Sequence, residues 1–203
     1  MRKALEIGVT GGIGSGKSLV CHIFSSLRIP VYSADDRAKS LMNEDSELRN
    51  QIKTAFGEQS YLEGGNLDRA YLAKLVFSDQ KKVKQLNALV HPAVRSDYKR
   101  WSSTKQKYPY LIREAALMIE SGIYKDLDYL IHVKAPEDLR VQRIEKRDPQ
   151  RSREEIKNII SNQLSDRDRD EKSDFVISNS EKTLLIPQVL ELHKVFIKLQ
   201  RGA

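Results

Sequence analysis

Lys17 and the glycines around it carry the plainest chemistry in the chain. Gly11-Gly12-Ile13-Gly14-Ser15-Gly16-Lys17-Ser18 fits G-x-x-x-x-G-K-[ST], the spacing of a loop that cradles nucleotide phosphates. Glycines so placed let several main-chain N–H groups converge on one anion, and the Lys17 ammonium reaches toward the β- and γ-phosphates. Ser18 offers a hydroxyl to Mg²⁺. The loop opens a helix whose unpaired first-turn N–H groups and dipole favour negative charge. Gly11, Gly12, Ile13, Gly14, Ser15, Gly16, Lys17, Ser18 and Leu19 are therefore the expected nucleotide-binding residues. With ordinary residue usage, a chance match somewhere in 203 residues is on the order of one per cent.

Other candidates are carboxylates and arginines. Tyr32-Ser33-Ala34-Asp35-Asp36 ends a strand-like run, and strand C-termini in an open parallel sheet point into the ligand crevice. Asp35 there could take the proton of an attacking hydroxyl. Ser33 is also a good N-cap, and Asp35 and Asp36 also suit a helix dipole. Arg140, Arg143 and Arg147 fall at i, i+3, i+7 on one helical face, with Arg151 and Arg153 just beyond. Phosphoryl transfer depends on positioning and charge neutralisation, a task for arginines on a mobile segment. The competing reading is a solvated basic face paired with Glu137, Glu145, Glu154 and Glu155. Glu114 follows a strand-like run and is placed for the crevice, or for an ion pair with Arg113 or a lysine. His91 precedes Pro92 and is either structural or a phosphate ligand. His22, His91, His132 and His193 show no metal-ligand spacing. Val94, Tyr98 and Trp101 share a helical face and read as core.

The elements that must hold these residues follow from apolar patterning. Strand-like runs at Leu5–Val9, Ile29–Tyr32, Tyr110–Arg113, Tyr129–Val133 and Phe175–Ile177 alternate with helical patterns, the signature of a parallel sheet with crossover helices. The first run leads straight into the glycine loop. Val20, Ile23, Phe24 and Leu27 then recur at helical spacing. Two stretches lack strands. Over 67–107 the pattern is helical, with Asp68 and Asp79 as N-caps, Val83, Leu86 and Leu89 on one face, and Pro92 opening a further helix. Over 137–171 it is charged and helical. The expected fold class is an α/β parallel sheet of the P-loop kind, one domain over 1–203, with a helical acceptor-binding insertion at 67–107 and a helical lid at 137–171. Pro187 to Leu199 reads as a terminal helix.

Composition narrows the classes. Thirty-five basic against 28 acidic residues give a formal charge of +7, which suits polyanionic partners. The lone cysteine, Cys21, excludes an intrachain disulfide or a Cys-based zinc cluster. No apolar run approaches membrane-spanning length and no leader pattern is seen, so a cytoplasmic location is expected. A nucleic-acid surface is expected to interleave basic residues with aromatics, and only 7% of residues are aromatic. No Asn-Lys-x-Asp motif points to a GTPase switch.

Together these segments resemble the dephospho-CoA kinase family over nearly the whole chain. Thr10 to Ser18 is similar to that family's opening signature, and Val31 to Asp35 lies where it has a strand ending in Asp-Ala-Asp. Leu86-Asn87-Ala88-Leu89-Val90-His91-Pro92 resembles its acceptor-domain motif, and Ala116 to Glu120 with Tyr124 its Pro-Leu-Leu-x-Glu segment. Arg143-Ile144-x-x-Arg147-Asp148, Gln163, and Ser173-Asp174-Phe175-Val176-Ile177-Ser178-Asn179 complete the likeness. Two positions depart: Ser33 replaces the first aspartate of Asp-Ala-Asp, and Ala116 stands where proline is usual.

The resemblance implies transfer of the ATP γ-phosphoryl group to the 3′-hydroxyl of dephospho-CoA, forming coenzyme A. The partners are then dephospho-CoA and ATP with Mg²⁺, with neither nucleic acid nor membrane. It implies catalysis by Asp35, Lys17, Arg143 and Arg147, with Asp35 the base and Ser18 on the metal. The acceptor falls to Asp35, Leu86, His91 and Glu114. A nucleoside or nucleotide kinase shares the P-loop, and a non-enzymatic nucleotide- or nucleic-acid-binding module is the reading from another class.

Overall fold

The apolar runs become five strands in the computed structural model, which describes residues 3–77 and 79–202. These are β1 (Leu5–Thr10), β2 (Val31–Ser33), β3 (Tyr110–Glu114), β4 (Tyr129–Lys134) and β5 (Phe175–Ser178). All neighbours pair in parallel, in the order β2-β3-β1-β4-β5. β1 and β3 are almost wholly buried, as expected for central strands covered on both faces by crossover helices. Register aligns Ser33 with Glu114, Glu114 with Val9, and Thr10 with His132. The segment that follows β1 therefore emerges from mid-sheet, beside the ends of β3 and β4.

By internal contacts the chain forms two compact units, 1–33 with 105–203 and 34–104. The first holds the sheet with α1 (Lys17–Ser26), α6 (Glu137–Arg147), α7 (Arg153–Ser161), α8 (Asp166–Lys172) and α9 (Leu185–Arg201). Its core joins Ile7 and Val9 of β1, Phe24 of α1, Tyr110 of β3, Ile131 of β4 and Phe196 of α9. A smaller apolar cluster packs Val141, Ile144 and Ile156 of α6 and α7 around Ile13, which belongs to the glycine loop. The α7 start is a capping box: Ser152 accepts from the Glu155 amide and the Glu155 carboxylate accepts from the Ser152 amide.

The second unit is α2 (Ala34–Glu44), α3 (Ser46–Phe56), α4 (Arg69–Phe77) and α5 (Gln80–Ser103). The helical stretch expected at 67–107 is thus the second half of a helical unit that begins at Ala34. Arg37 of α2 and Asp97 of α5 form a paired salt bridge with bonds of 3.0 and 3.1 Å. Asp79 caps α5 by accepting from the Lys81 amide, and Asp68 accepts from the Tyr71 amide at the start of α4. Pro92 departs from expectation. It opens no helix but lies inside α5. Proline there removes one intrahelical bond and crowds the carbonyl four residues back, a cost of about 3 kcal/mol in an ordinary helix. Val90, Val94 and Tyr98 recur every fourth residue on both sides of it and are buried, so one apolar stripe carries the helix through. Tyr98 stacks on Trp101 with centroids 5.9 Å apart, in keeping with their reading as core.

No helix among the described residues is long and apolar enough to cross a membrane. Phe24 is fully buried and meets the Tyr110 ring edge-on, with centroids 6.1 Å apart. Phe24→Ala is expected to cost about 3–5 kcal/mol in urea unfolding, and a loss under about 1 kcal/mol would mean that this core repacks freely.

Candidate active site

The site begins where β1 stops. After Thr10 the chain turns through the glycine loop into α1, and five successive carbonyls of that loop are held by side chains. Lys17 Nζ donates to the Gly11 and Gly12 oxygens at 2.9 and 3.3 Å. Arg140 Nε donates to the Ile13 oxygen at 2.9 Å, and Arg143 Nη1 to the Gly14 oxygen at 3.4 Å. Asn179 Nδ2 donates to the Ser15 oxygen at 2.8 Å. In a trans peptide C=O and N–H point in opposite directions. Pinning the Ile13 and Ser15 carbonyls to the donors therefore turns the Gly14 and Gly16 amides the other way, into the concave side of the loop. These two N–H groups, together at the mouth of α1, form an anion cradle.

Glycine is required where this path bends furthest. Gly16 sits at φ +94°, in the left-handed region, and a Cβ there would collide with the Asn179 amide group. Gly11 passes so near the Val133 main chain of β4 that a side chain would strike its carbonyl oxygen.

On the α1 side, Ser18 Oγ donates to Glu114 Oε1 at 3.0 Å, which joins the first turn of the helix to the end of β3. Glu114 is 9% exposed. Cys21 lies a turn further along α1, and burial, then the Glu114 carboxylate, push its thiol well above the ordinary range, with Lys17 partly opposing. The thiol is inert at neutral pH.

A polar cluster around the buried His132 and Arg169 backs the arginines. Asp166 lies 3.6 Å from Arg140 Nη1 and 3.6 Å from His132 Nε2. Asp170 takes a bond from His132 Nδ1 at 2.8 Å and one from Lys134 at 2.9 Å. Burial alone would raise the Asp170 carboxyl, but the bonds from Lys134 and His132 leave it below its ordinary value. Arg169 is fully buried and lies 3.6 Å from Glu120. These contacts tie α6 and α8 to β4 and hold Arg140 against the loop. Burial lowers the Arg140 guanidinium pKa and Asp166 offsets part of the shift, while the group stays cationic.

Not all the expected residues gather here. Lys17, Ser18, Glu114 and Arg143 do, and Arg143 Nη2 also donates to the main-chain oxygen of Asn179 at 3.2 Å. Arg147 turns away to a two-point pair with Asp148 at 3.0 and 2.9 Å and is well exposed. Leu19 has a half-exposed side chain and donates its amide to the Gly16 oxygen. Asp35 is exposed in the first turn of α2, two residues beyond the last residue of β2. Leu86 and His91 lie on α5, with His91 exposed and its imidazole pKa lowered by partial desolvation and by Arg95. Glu114 pairs with Ser18 and, being adjacent to Arg113 on a strand, points to the opposite face of the sheet. The role of Asn179 in shaping the loop was not legible from spacing, since one amide residue far along the chain gives no periodic signal. Arg140 was visible only as one member of an arginine stripe.

A glycine loop leaving the central strand of a five-stranded parallel sheet, with its lysine folded over it, defines a P-loop α/β fold. A putative kinase from Chloroflexus aurantiacus shares that fold with a TM-score of 0.53 at 16% identity, over the whole of both chains. The family model for dephospho-CoA kinase matches residues 5–184. A dephospho-CoA kinase of Bacteroides fragilis is 39% identical over 189 residues, 93% of this chain and 91% of that protein. Among solved structures, TT1252 from Thermus thermophilus superposes with a TM-score of 0.83 at 30% identity, covering 96% of this chain and 98% of that one. A dephospho-CoA kinase from Campylobacter jejuni gives 0.68 at 28%, covering 97% and 98%. The chain belongs to the dephospho-CoA kinase family.

Gly16→Ala is expected to weaken ADP binding at least about ten-fold, because the new methyl must both adopt the left-handed backbone and displace Asn179. Titration with a fluorescent ADP analogue measures this, and an affinity within about three-fold of the parent would contradict the cradle as described.

Proposed function

We propose that this chain transfers the γ-phosphoryl group of ATP to the 3′-hydroxyl of dephospho-CoA, yielding CoA and ADP. One observation carries the reading: family membership over residues 5–184, a span that includes both the P-loop and the Leu86–His91 segment of α5. The protein is accordingly read as a cytoplasmic enzyme with ATP and dephospho-CoA as its partners.

The loop amides and Lys17 bind the phosphate tail and take up the negative charge that shifts toward the β,γ-bridging oxygen as its bond to the γ-phosphorus breaks. Arg143, at the loop's rim, neutralises charge on the transferring group. Arg147 is the second choice and would have to leave Asp148. Asp35 orients the acceptor hydroxyl and takes its proton as the new O–P bond forms. Leu86 and His91 contribute to acceptor binding, and His91, with its lowered pKa, does so as a neutral hydrogen-bonding ring at pH 7. Segment 137–171 acts as a lid that excludes competing water.

Mg²⁺ fits the residues present. Ser18 and Glu114 place a hydroxyl and a carboxylate oxygen within 3.0 Å of each other, a hard-oxygen pair suited to that ion directly or through its waters. When bound, the ion neutralises phosphate charge. The chemistry also explains why a buried carboxylate is tolerated beside a phosphate cradle.

ATP-dependent CoA formation with the purified protein tests the reading against AMP, uridine and thymidylate as rival acceptors. Dephospho-CoA is expected to be turned over fastest, and preference for any rival would replace the proposal with nucleoside or nucleotide phosphorylation. Lys17→Ala should abolish transfer. Asp35→Asn should lower kcat by about 10²–10⁴ while leaving ATP affinity intact, and unchanged kcat would remove Asp35 from the base role.

A further inference from the structure

The amide of the loop residue Ile13 is taken by a distant side chain. Its N–H donates to Gln163 Oε1 at 2.9 Å, across 150 positions of sequence. Its carbonyl accepts from Arg140 Nε at 2.9 Å, and Arg140 Nη2 reaches the same Gln163 oxygen at 3.4 Å. The Ile13 main chain, the Gln163 amide group and the Arg140 guanidinium thus close a ring of hydrogen bonds. The Ile13 side chain is anchored as well, in the apolar cluster of α6 and α7.

This ring fixes the two peptide planes that flank Ile13. In the 12–13 peptide, Gln163 holds the N–H, while Lys17 and the Ser15 amide hold the Gly12 carbonyl from the other end. In the 13–14 peptide, Arg140 holds the carbonyl and so aims the Gly14 amide into the cradle. Glycines at 11, 12 and 14 give the backbone little resistance to a peptide flip. A flip of the 13–14 plane would present the Ile13 carbonyl to the phosphates, and a flip of the 12–13 plane would take the Gly12 carbonyl away from Lys17 and the Ser15 amide. Gln163 suits the task because it is an uncharged acceptor. A carboxylate would bring a negative charge toward the phosphates, and an apolar side chain would leave the Ile13 amide without a partner.

We propose that Gln163, in the connection between α7 and α8, is a positioning residue for the phosphoryl donor. It acts by fixing the 12–13 peptide and steadying Arg140, whose bond to the Ile13 carbonyl aims the Gly14 amide into the cradle. The inference rests on the reading that the P-loop binds the donor's phosphates, and it assigns to the segment read as a lid a standing part in shaping that loop.

The test compares Gln163→Leu and Gln163→Glu with the parent in KM for each substrate, kcat, ADP binding and thermal unfolding. Gln163→Leu is expected to raise KM for ATP and Kd for ADP about ten-fold. KM for dephospho-CoA should stay within about two-fold, and the nucleotide-free Tm within about 4 °C. Gln163→Glu keeps an oxygen at the same reach and should recover at least half of the loss on a logarithmic scale, despite its charge. An unchanged ATP KM in Gln163→Leu would overturn the proposal. So would equal losses for both substrates with a matching fall in Tm, or a Gln163→Glu enzyme no better than Gln163→Leu. If Gln163→Leu does not fold, hydrogen exchange of the Ile13 amide in the parent decides. Protection with and without ADP supports the ring, and exchange at the rate of an open loop overturns it. A parent protein that binds no ADP overturns the P-loop reading itself, whereas a parent that binds ADP no better than Gln163→Leu overturns only the role of Gln163.

Discussion

Everything at this site depends on which way a few peptide planes face. Main-chain N–H groups bind phosphate without carrying charge, but each brings a carbonyl that repels it, and the two point in opposite directions. The loop's answer is to give the carbonyls hydrogen-bond donors of their own. Three of the four side chains that hold them are cationic, and a hydrogen bond to a charged group is worth about 1.5–3 kcal/mol net, against about 1 kcal/mol for a neutral pair. Lys17, Arg140 and Arg143 thus place positive charge around the cradle while setting the orientation of its amides.

The sheet order explains how such donors can meet. β1 is central, so the loop emerges with β3 on one side and β4 and β5 on the other. β3 supplies Glu114 to Ser18, on the α1 flank. β4 leads into α6, which carries Arg140 and Arg143, and β5 leads directly to Asn179. Parallel strands put all these C-terminal ends at one edge, which is why residues more than a hundred positions apart converge there. The cations come at an electrostatic cost that the fold meets locally: Asp166 lies against Arg140, Glu120 against Arg169, and Asp170 against His132 and Lys134. Removing a carboxylate leaves buried Arg140 or Arg169 uncompensated, so the cluster is expected to behave as a unit in mutagenesis.

The loop, the parallel sheet and the helical stretches were legible because each has a periodic or spaced signature: glycines at fixed offsets, short apolar runs, apolar stripes at helical spacing. Strand positions differ from expectation by only a residue or two at their ends. Pro92 misled because its local rule, that proline starts helices, was outweighed by the Val90–Val94–Tyr98 stripe running past it. Arg140, Arg143 and Arg147 looked equivalent on one face, yet only the first two meet the loop. Arg147 is at the last turn of α6, where its neighbour Asp148 captures it. Asn179 and Gln163 belong to the family likeness, but the sequence alone assigns them no physical role, because a single amide side chain is defined only by what it meets in three dimensions. The linkage of Ser18 to Glu114 was hidden for the same reason.

Ile13 shows why loop and helices cannot vary independently. Its side chain belongs to the α6–α7 cluster and its main chain to the P-loop, so moving either displaces the other. If the loop had to find its shape only after meeting a nucleotide, part of the binding energy would go into ordering glycines, the residues with the most backbone freedom to lose. A loop already held by Arg140, Arg143, Gln163 and Asn179 avoids that cost, and its dipoles are fixed before charge develops on the transferring group. Preorganised donors of this kind are what make electrostatic stabilisation effective in phosphoryl transfer. The helices around the loop therefore set its geometry.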